Sequence, residues 1–393
     1  MKRNITTLCA ILCVVMISAC GSGFFGSMDT LREKAEGGGE YDPGDGTADN
    51  PFKVGNLAAL QKVGSEIDGW TLDSHYIVTA DITITGTWTP IGGEGMVFND
   101  DEVFSSGDTT FRGVFDGNGK TISLGSLGTD SCVMVDMMYL VSSYGLFGVI
   151  GDGAEVKNLK LIGSINTDPD EDFAVAGALA GINWGGSISN ISSRVIVTCN
   201  AADMAFAGGI VGLMTEGAIF NCYSTANVKN EASYGDAGGI VGRINDSGIS
   251  NASNIKNCWA AGNINQNVGS AGGIIGNKDM ETAIISFCVA LNSNIRSPDN
   301  YGRIAGSSKG VGGLIGNYAY SGMCYDHDIH FPPGSTTDKN GQDVSIDDIQ
   351  ASNGSWWTGT AGWAYVWSGA NENTPWKWDS TNSRPILWFE AKL

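Results

Sequence analysis

The sequence predicts an all-β protein built as a right-handed parallel β-helix, and three observations carry that prediction. Of 393 residues, 57 are Gly and only 16% are charged, against roughly 7% Gly and about 25% charged residues in ordinary globular chains. A six-residue block, Ala207-Gly208-Gly209-Ile210-Val211-Gly212, recurs as Ala237–Gly242, Ala271–Gly276 and Val311–Gly316, with weaker copies at Ser143–Gly148 and Ala176–Gly181. Its closing glycines at 148, 181, 212, 242, 276 and 316 lie 30 to 40 residues apart, a period of solenoid size. A second block follows each of the first five copies: Asn158-Leu159-Lys160-Leu161, Asn190-Ile191-Ser192-Ser193, Asn221-Cys222-Tyr223-Ser224, Asn257-Cys258-Trp259-Ala260 and Phe287-Cys288-Val289-Ala290.

Met1-Lys2-Arg3 opens the chain with two cations, and the apolar run from Leu8 to Ile17 behind it is short of the roughly 20 residues of a membrane span. Residues 1–19 read as a secretory signal. The run ends in Ile17-Ser18-Ala19-Cys20, which resembles a bacterial lipobox. That resemblance implies a diacylglycerol on the Cys20 sulfur and a protein held at the outer membrane by lipid, facing outward. Burying acyl chains contributes about 0.8 kcal/mol per CH₂. Residues 20–50 hold Gly37-Gly38-Gly39, Pro43-Gly44-Asp45-Gly46 and five acids between Glu33 and Asp45, the composition of a flexible, self-repelling tether.

Residues 51–92 read as an N-terminal cap, in which Leu57–Val63 and Tyr76–Ile82 resemble the short N-terminal helix and first strand of the repeat family named below. A solenoid needs such a cap because its first coil presents unpaired strand edges and an open core. Residues 93–320 read as the β-helix, roughly six coils. One unit cannot bury its own apolar face, but stacked strands pair in parallel at about 4.8 Å and line a continuous core; right-handedness follows from the crossover rule. Glycines flanking the first block fit corners that need positive φ or close backbone approach. Residues 321–393 form a Trp-rich C-terminal cap or extension, with seven of the eleven tryptophans between Trp356 and Trp388.

The Gly-Gly-Ile-Val-Gly and Asn-Cys-Tyr-Ser pattern resembles GLUG repeats, and the flanks Phe111–Ile122, Tyr144–Gly148 and Trp88–Gly92 are similar to the opening coils of such proteins. The resemblance spans about residues 51–320, and Arg384-Pro385-Ile386-Leu387-Trp388 is similar to the family's ending. It implies a cell-surface lipoprotein of Gram-negative bacteria, of the Bacteroides adhesin-like type. Some IgA-peptidase-type metalloproteases carry these repeats beside a catalytic domain, but their His-Glu-x-x-His zinc motif does not occur in this sequence, so that activity does not carry over.

Composition narrows the partners. A formal net charge of −20 repels nucleic acid and anionic headgroups, so nucleic acid is not an expected partner; no cofactor is expected either. Cys222, Cys258 and Cys288 occupy the slot held by Leu159 and Ile191, a buried apolar position in which free thiols are expected and an inter-coil disulfide is the alternative. His327 and His330 lie three apart without a zinc-helix motif. Asp168, Asp170 and Asp172 make the densest acidic run, a solvated turn or an oxygen-rich Ca²⁺ site. No basic residue recurs at one position of the repeat, so a lyase base is not identifiable. Trp363, Tyr365, Trp367, Trp376 and Trp378 either close the last coil or expose rings that stack on sugars.

The resulting expectation is a non-catalytic adhesin or binding module. It would engage an extracellular glycan or protein through its long faces, the turns around 164–174 and 226–236, or the C-terminal aromatics. A carbohydrate-active β-helix enzyme and a structural subunit of a surface assembly are the alternatives.

Overall fold

A computed structural model of the chain describes residues 42–94, 96–97, 109–130, 132–137, 139–245, 253–310, 312–326, 329–351, 354–363 and 369–390. Asp45–Leu393 forms one compact unit. Of the separate unit Met1–Gly44, only Asp42–Gly44 is described, where the Gly44 amide donates to Asp42 Oδ1 at 2.9 Å. The signal segment 1–19, Cys20 and most of the tether lie outside the described residues.

Strands pair in parallel and in register from one repeat to the next. In the smaller sheet, Tyr144, Ala176, Ala207, Ala237, Ala271 and Tyr301 stand in one column, rungs that bound five full turns. Past the corner, Phe147, Ala180, Val211, Val241, Ile275 and Ala305 form the next column in the larger sheet. A third column runs Val156, Ile188, Ile219, Ile255, Ile285 and Leu314. All these parallel ladders feed one apolar core inside the tube, each fully buried Ile or Leu contributing about 1.5–3 kcal/mol. The fold is therefore the parallel β-solenoid that the repeat spacing predicts.

The repeated Gly and Asn have separate jobs. A Cβ on Gly242 would stand 2.6 Å from the Gly212 carbonyl oxygen and 2.8 Å from the Ala207 nitrogen, so the closing glycine is needed for close backbone approach. Positive φ belongs to the second block, at Asn158, Asn190, Asn221 and Asn257, with φ between 53° and 57°. Asn tolerates this left-handed corner better than other side-chain-bearing residues. Phe287 adopts φ 54° and Gly316 φ 65° at the same corner of the last coils.

Three expectations are corrected. Val311–Gly316 is not a further copy of the first block: Leu314 pairs with Ile285 and Ile315 with Ser286, so it belongs to the second. The true last copy is Tyr301-Gly302-Arg303-Ile304-Ala305-Gly306, whose Ala305 pairs with Ile275. Its Gly306 restores the short period that position 316 had stretched. Residues 51–92 do more than cover an edge, because Phe52 pairs with Tyr76 and Tyr76 with Phe115, extending the third column downward. The helix Leu57–Lys62 begins at Asn56, whose side chain accepts from the Ala59 amide at 2.9 Å.

The third correction concerns the C-terminal region, which divides between two tasks. Residues up to Val344 close the last coil. Fully buried Arg303 donates to the carbonyls of Asn340 (2.9 Å) and Gly341 (3.0 Å) and to the Asp343 carboxylate, and the Lys339 carbonyl accepts from Ile304 and Ala305. The described residues beyond lie along the flank of the solenoid instead of over its end. There Tyr223, Trp259 and Val289, neighbours in one outward-facing column, share a second apolar cluster with Trp356, Trp357, Trp363, Trp376, Ile386 and Leu387. Outward aromatics on a solenoid would be a sticky stripe, and this strap covers them.

Candidate functional site: a polar groove on the solenoid flank

A polar concavity on the flank grows from a simple alternation. Val228-Lys229-Asn230 and Ile264-Asn265-Gln266 both read buried, exposed, buried, while Ile295 is buried and Arg296 exposed. The apolar residue of each faces the core, and the next points to solvent, as period-2 geometry requires. Register then places Lys229, Asn265 and Arg296 in one outward column, below which Thr198 and Asn166 continue the line. Two cations therefore do share a position of the repeat, against the sequence expectation. The intervening Asn265 and a gap of one coil hid the relationship.

This column forms one wall of a groove of about 680 Å³. Asn267, Ser297, Pro298, Tyr301 and Tyr325 also line it. The two tyrosine rings stack at 4.5 Å with 13° between planes, held by Phe331 edge-on to both. Lys229 pairs with Glu231, whereas Arg296 has no ion pair among the described residues. Gln266 is 2% exposed, and its Nε2 donates to the Val268 carbonyl at 2.6 Å. Its Oε1 is buried without a hydrogen-bond partner, on a residue that borders the groove. A buried acceptor left unpaired costs about 1–3 kcal/mol, and this one is held beside the groove by its own amide bond.

Glu231 is the one carboxylate among the described groove residues. Hydrolysis of a glycosidic bond by the usual route needs two carboxyl groups, about 5–9.5 Å apart. A second hollow of about 460 Å³ lies at the N-terminal cap, where Leu60, Val63, Leu72, Trp88 and Ile91 make its lining more apolar.

The sequence-predicted site residues fall elsewhere. Trp363 and Trp376 are each 1% exposed, with Trp363 Nε1 donating to the Phe287 carbonyl at 2.7 Å and Trp376 Nε1 to Asn221 Oδ1 at 3.4 Å. Their rings are packing elements and cannot stack on a sugar. Trp378 is half-buried in the hairpin Trp376–Asp379 with Arg384–Leu387, against the same cluster. Tyr365 and Trp367 lie outside the described residues, as does His327.

The acidic run is held by turn contacts. Asp168 Oδ1 accepts from the Asp170 amide at 3.0 Å, and the Asp172 carbonyl accepts from Asp203 and Met204. These are turn contacts, and no cluster of three or more acidic, His or Cys side chains able to hold a metal occurs among the described residues. Cys222, Cys258 and Cys288 are free and fully buried, in the slot of Leu159 and Ile191. Burial pushes the Cys199 thiol up to about 12 and holds the Cys258 and Cys288 thiols well above their ordinary value, away from nucleophilic use.

The groove includes Lys229, Asn230 and Glu231 of the 226–236 turn that the sequence offered as a binding region. Arg296 and Tyr325 went unnoticed. The signal was a third short strand in each coil, apolar then polar, lying between the Asn block and the next Gly block.

No family model matches the chain. Among curated proteins, 186 residues, 47% of the chain, are 31% identical to halomucin of Haloquadratum walsbyi, of which they span 2%. A stretch of 194 residues, 49% of the chain, is 30% identical to a "Putative Gly-rich membrane protein" of Evansella cellulosilytica, of which it spans 19%. The chain thus corresponds to a minor part of each of these relatives. Among solved structures it is similar to a "putative immunoglobulin A1 protease" of Bacteroides ovatus. That likeness has a TM-score of 0.61 and 20% identity over 90% of this chain and 97% of the other, and it establishes the shared β-helix fold.

Proposed function

We propose that this chain is a lipid-anchored surface protein of a Gram-negative bacterium, a non-catalytic, adhesin-type binding module that holds a β-helix outward to engage an extracellular glycan or protein. The observation that carries the binding role is the flank groove, where Lys229, Asn265 and Arg296 stand in one exposed column beside a stacked tyrosine pair. The site offers polar recognition along an extended ligand, with a single carboxylate, Glu231, among its described residues.

The surface setting is supported by the Ile17-Ser18-Ala19-Cys20 ending of the signal-like segment. Relatives named as a mucin and a membrane protein agree with it, as does the GLUG-like repeat pattern. Two measurements test the reading. Metabolic labelling with a radioactive or alkyne fatty acid should mark the wild-type chain and not Cys20→Ser. Protease added to intact cells should remove the wild-type protein from their surface. An unlabelled chain, or one shielded from protease until the cells are broken, overturns the anchored surface role.

A further inference from the structure

We infer that the flank groove is built for an acidic polysaccharide, a chain of pyranose rings carrying carboxylate or sulfate groups. The inference rests on the groove being a binding site and goes further by naming the ligand's chemistry. Three features of different kinds converge on it.

The first is charge. In a chain of net charge −20, the groove carries two cations, Lys229 and Arg296, against one carboxylate, Glu231. Glu231 is committed to Lys229, which leaves the exposed guanidinium of Arg296 as an anion receptor. A guanidinium presents a planar fork of donors that suits carboxylate and sulfate oxygens. The surrounding negative field repels polyanions from the rest of the surface, so a polyanion that binds reports this locus.

The second is hydrogen bonding. Gln266 Oε1 is a buried acceptor with no donor, and a sugar hydroxyl supplies the donor. Asn265 and Asn267 set amides near it, Asn265 exposed in the same column as the two cations. The third is shape. The column climbs one strand spacing, about 4.8 Å, per coil, so Lys229 and Arg296 stand about 10 Å apart, two spacings, along a straight polar rail. The Tyr301–Tyr325 stack, packed in part against the core, lines the same groove, and aromatic rings are the kind of surface on which sugar faces pack.

The test uses the full-length protein in a matched series of probes: oligogalacturonide, its methyl ester, oligoalginate, dextran sulfate, neutral dextran and poly-glutamate. Calorimetric titration should show binding to at least one acidic saccharide. The methyl ester, with its shape kept and its charge removed, should bind at least tenfold more weakly than oligogalacturonide if that is the probe bound. Arg296→Gln should lose at least tenfold in affinity for the bound probe, Arg296→Lys should recover part of it, and thermal unfolding should confirm that both variants fold. Carboxylate and sulfate sources are separated by whether oligogalacturonide or dextran sulfate binds more tightly.

Equal binding of acidic and neutral saccharides would overturn the acidic assignment while leaving the groove a glycan site. Binding of poly-glutamate as tightly as any saccharide would overturn the sugar assignment, and binding unchanged in Arg296→Gln would overturn the location. Failure of every saccharide overturns the inference together with a glycan role for the groove. Cleavage of a bound oligosaccharide, seen as new chain ends, would instead overturn the non-catalytic reading beneath it.

Discussion

The hydroxyl of Tyr223 donates to the carboxylate of Glu390, 2.6 and 2.7 Å from its two oxygens, joining a solenoid rung to the C-terminal strap. Ser192, one rung away in the same column, donates to the same carboxylate at 3.2 Å, and the Leu387 amide at 3.1 Å. Glu390 is 4% exposed, so its charge is held by three donors and little water. Removing it should leave the Tyr223 hydroxyl buried and short of its acceptor, at a cost of about 1.5–3 kcal/mol. We expect Glu390→Ala to expose the 346–390 strap to limited proteolysis under native conditions while the coils resist. Uniform resistance would mean the strap is held by its apolar contacts alone.

The same pair sets an alkaline limit. Burial, reinforced by the Glu390 charge, pushes the Tyr223 hydroxyl well above its ordinary 10.0. The folded protein therefore keeps a proton that the unfolded chain releases above pH 10, so stability contributed here is intact below that pH and falls as pH rises beyond it. Tyr223→Phe should flatten the alkaline limb of a stability-versus-pH curve, at the expense of neutral stability. An unchanged limb would place the sensitivity elsewhere.

Trp363 is a structural anchor. It lies 4.9 Å from both Trp357 and Trp376 by ring centroid and donates to the carbonyl of Phe287, the residue held at positive φ where the other corners carry Asn or Gly. Trp363→Ala should cost about 3–5 kcal/mol and lower the melting temperature. Any ligand binding in the flank groove should persist at temperatures where the variant is folded. Selective loss of binding with no loss of stability would restore a ligand role to this ring.

Much of the fold was legible because a solenoid writes its geometry into a period. The Gly block, the Asn corner and the slot shared by Leu159, Ile191 and Cys222 each recur where register demands them. Two features misled. Val311-Gly312-Gly313-Leu314-Ile315-Gly316 has the composition of the first block but the register of the second, since composition alone does not fix which corner a glycine turns. The clustered tryptophans read as closing the last coil or as exposing rings to sugars, because nothing in their own sequence reveals that Tyr223, Trp259 and Val289 face outward beneath them. The groove was least legible, for its residues come from different coils, and only strand pairing brings Lys229 and Arg296 into line.

Asn257 tests the corner directly. Its φ is 53°, and its Nδ2 makes one long hydrogen bond, 3.4 Å, to Asn221 Oδ1. Left-handed backbone costs a Cβ-bearing residue about 1–2 kcal/mol, while Gly adopts it freely. Asn257→Ala should therefore be less stable than Asn257→Gly by about 1–2 kcal/mol in urea unfolding, although both lose the same side-chain bond. Equal stabilities would show that the bond, not the backbone, explains the Asn.

Arg243 joins neighbouring coils, reaching Asp236 at 3.0 Å and Asp279 at 2.6 Å, with its guanidinium 5.1 Å from the Phe206 ring centroid. Burial pushes the Asp236 carboxyl above its ordinary 3.8, against the pull of Arg243. Deleting that cation should cost about 3–5 kcal/mol at neutral pH, because it strands a buried charge. A raised folded-state value means the folded protein takes up its proton first, so acidification favours the folded state as pH falls toward the carboxylate range. Arg243→Met should thus regain part of its lost stability as pH falls from 7, more than the parent protein gains. A parallel pH dependence in both would contradict the coupling.

The closing glycine can be separated from ordinary loss of glycine by comparing two positions. At Gly242 a Cβ would meet the backbone oxygen of Gly212 at 2.6 Å and the Ala207 nitrogen at 2.8 Å; because these are main-chain atoms of paired rungs, neither can swing aside. At Gly128 a Cβ would meet nothing within 4 Å, and its φ lies outside the left-handed range. Ala restricts the unfolded chain equally at both sites, so the difference between Gly242→Ala and Gly128→Ala isolates the native-state clash. Forcing rungs apart costs at least the roughly 1–3 kcal/mol of an overpacked core, and the coil seam amplifies it, since Gly212, Gly242 and Gly276 stack on one another's carbonyls. We expect Gly128→Ala to unfold at or slightly above the parent midpoint. Gly242→Ala should unfold earlier, with hydrogen exchange accelerated on both flanking coils. Equal midpoints would mean that the solenoid corner can widen without breaking its pairing, and that the repeated glycine has some other origin.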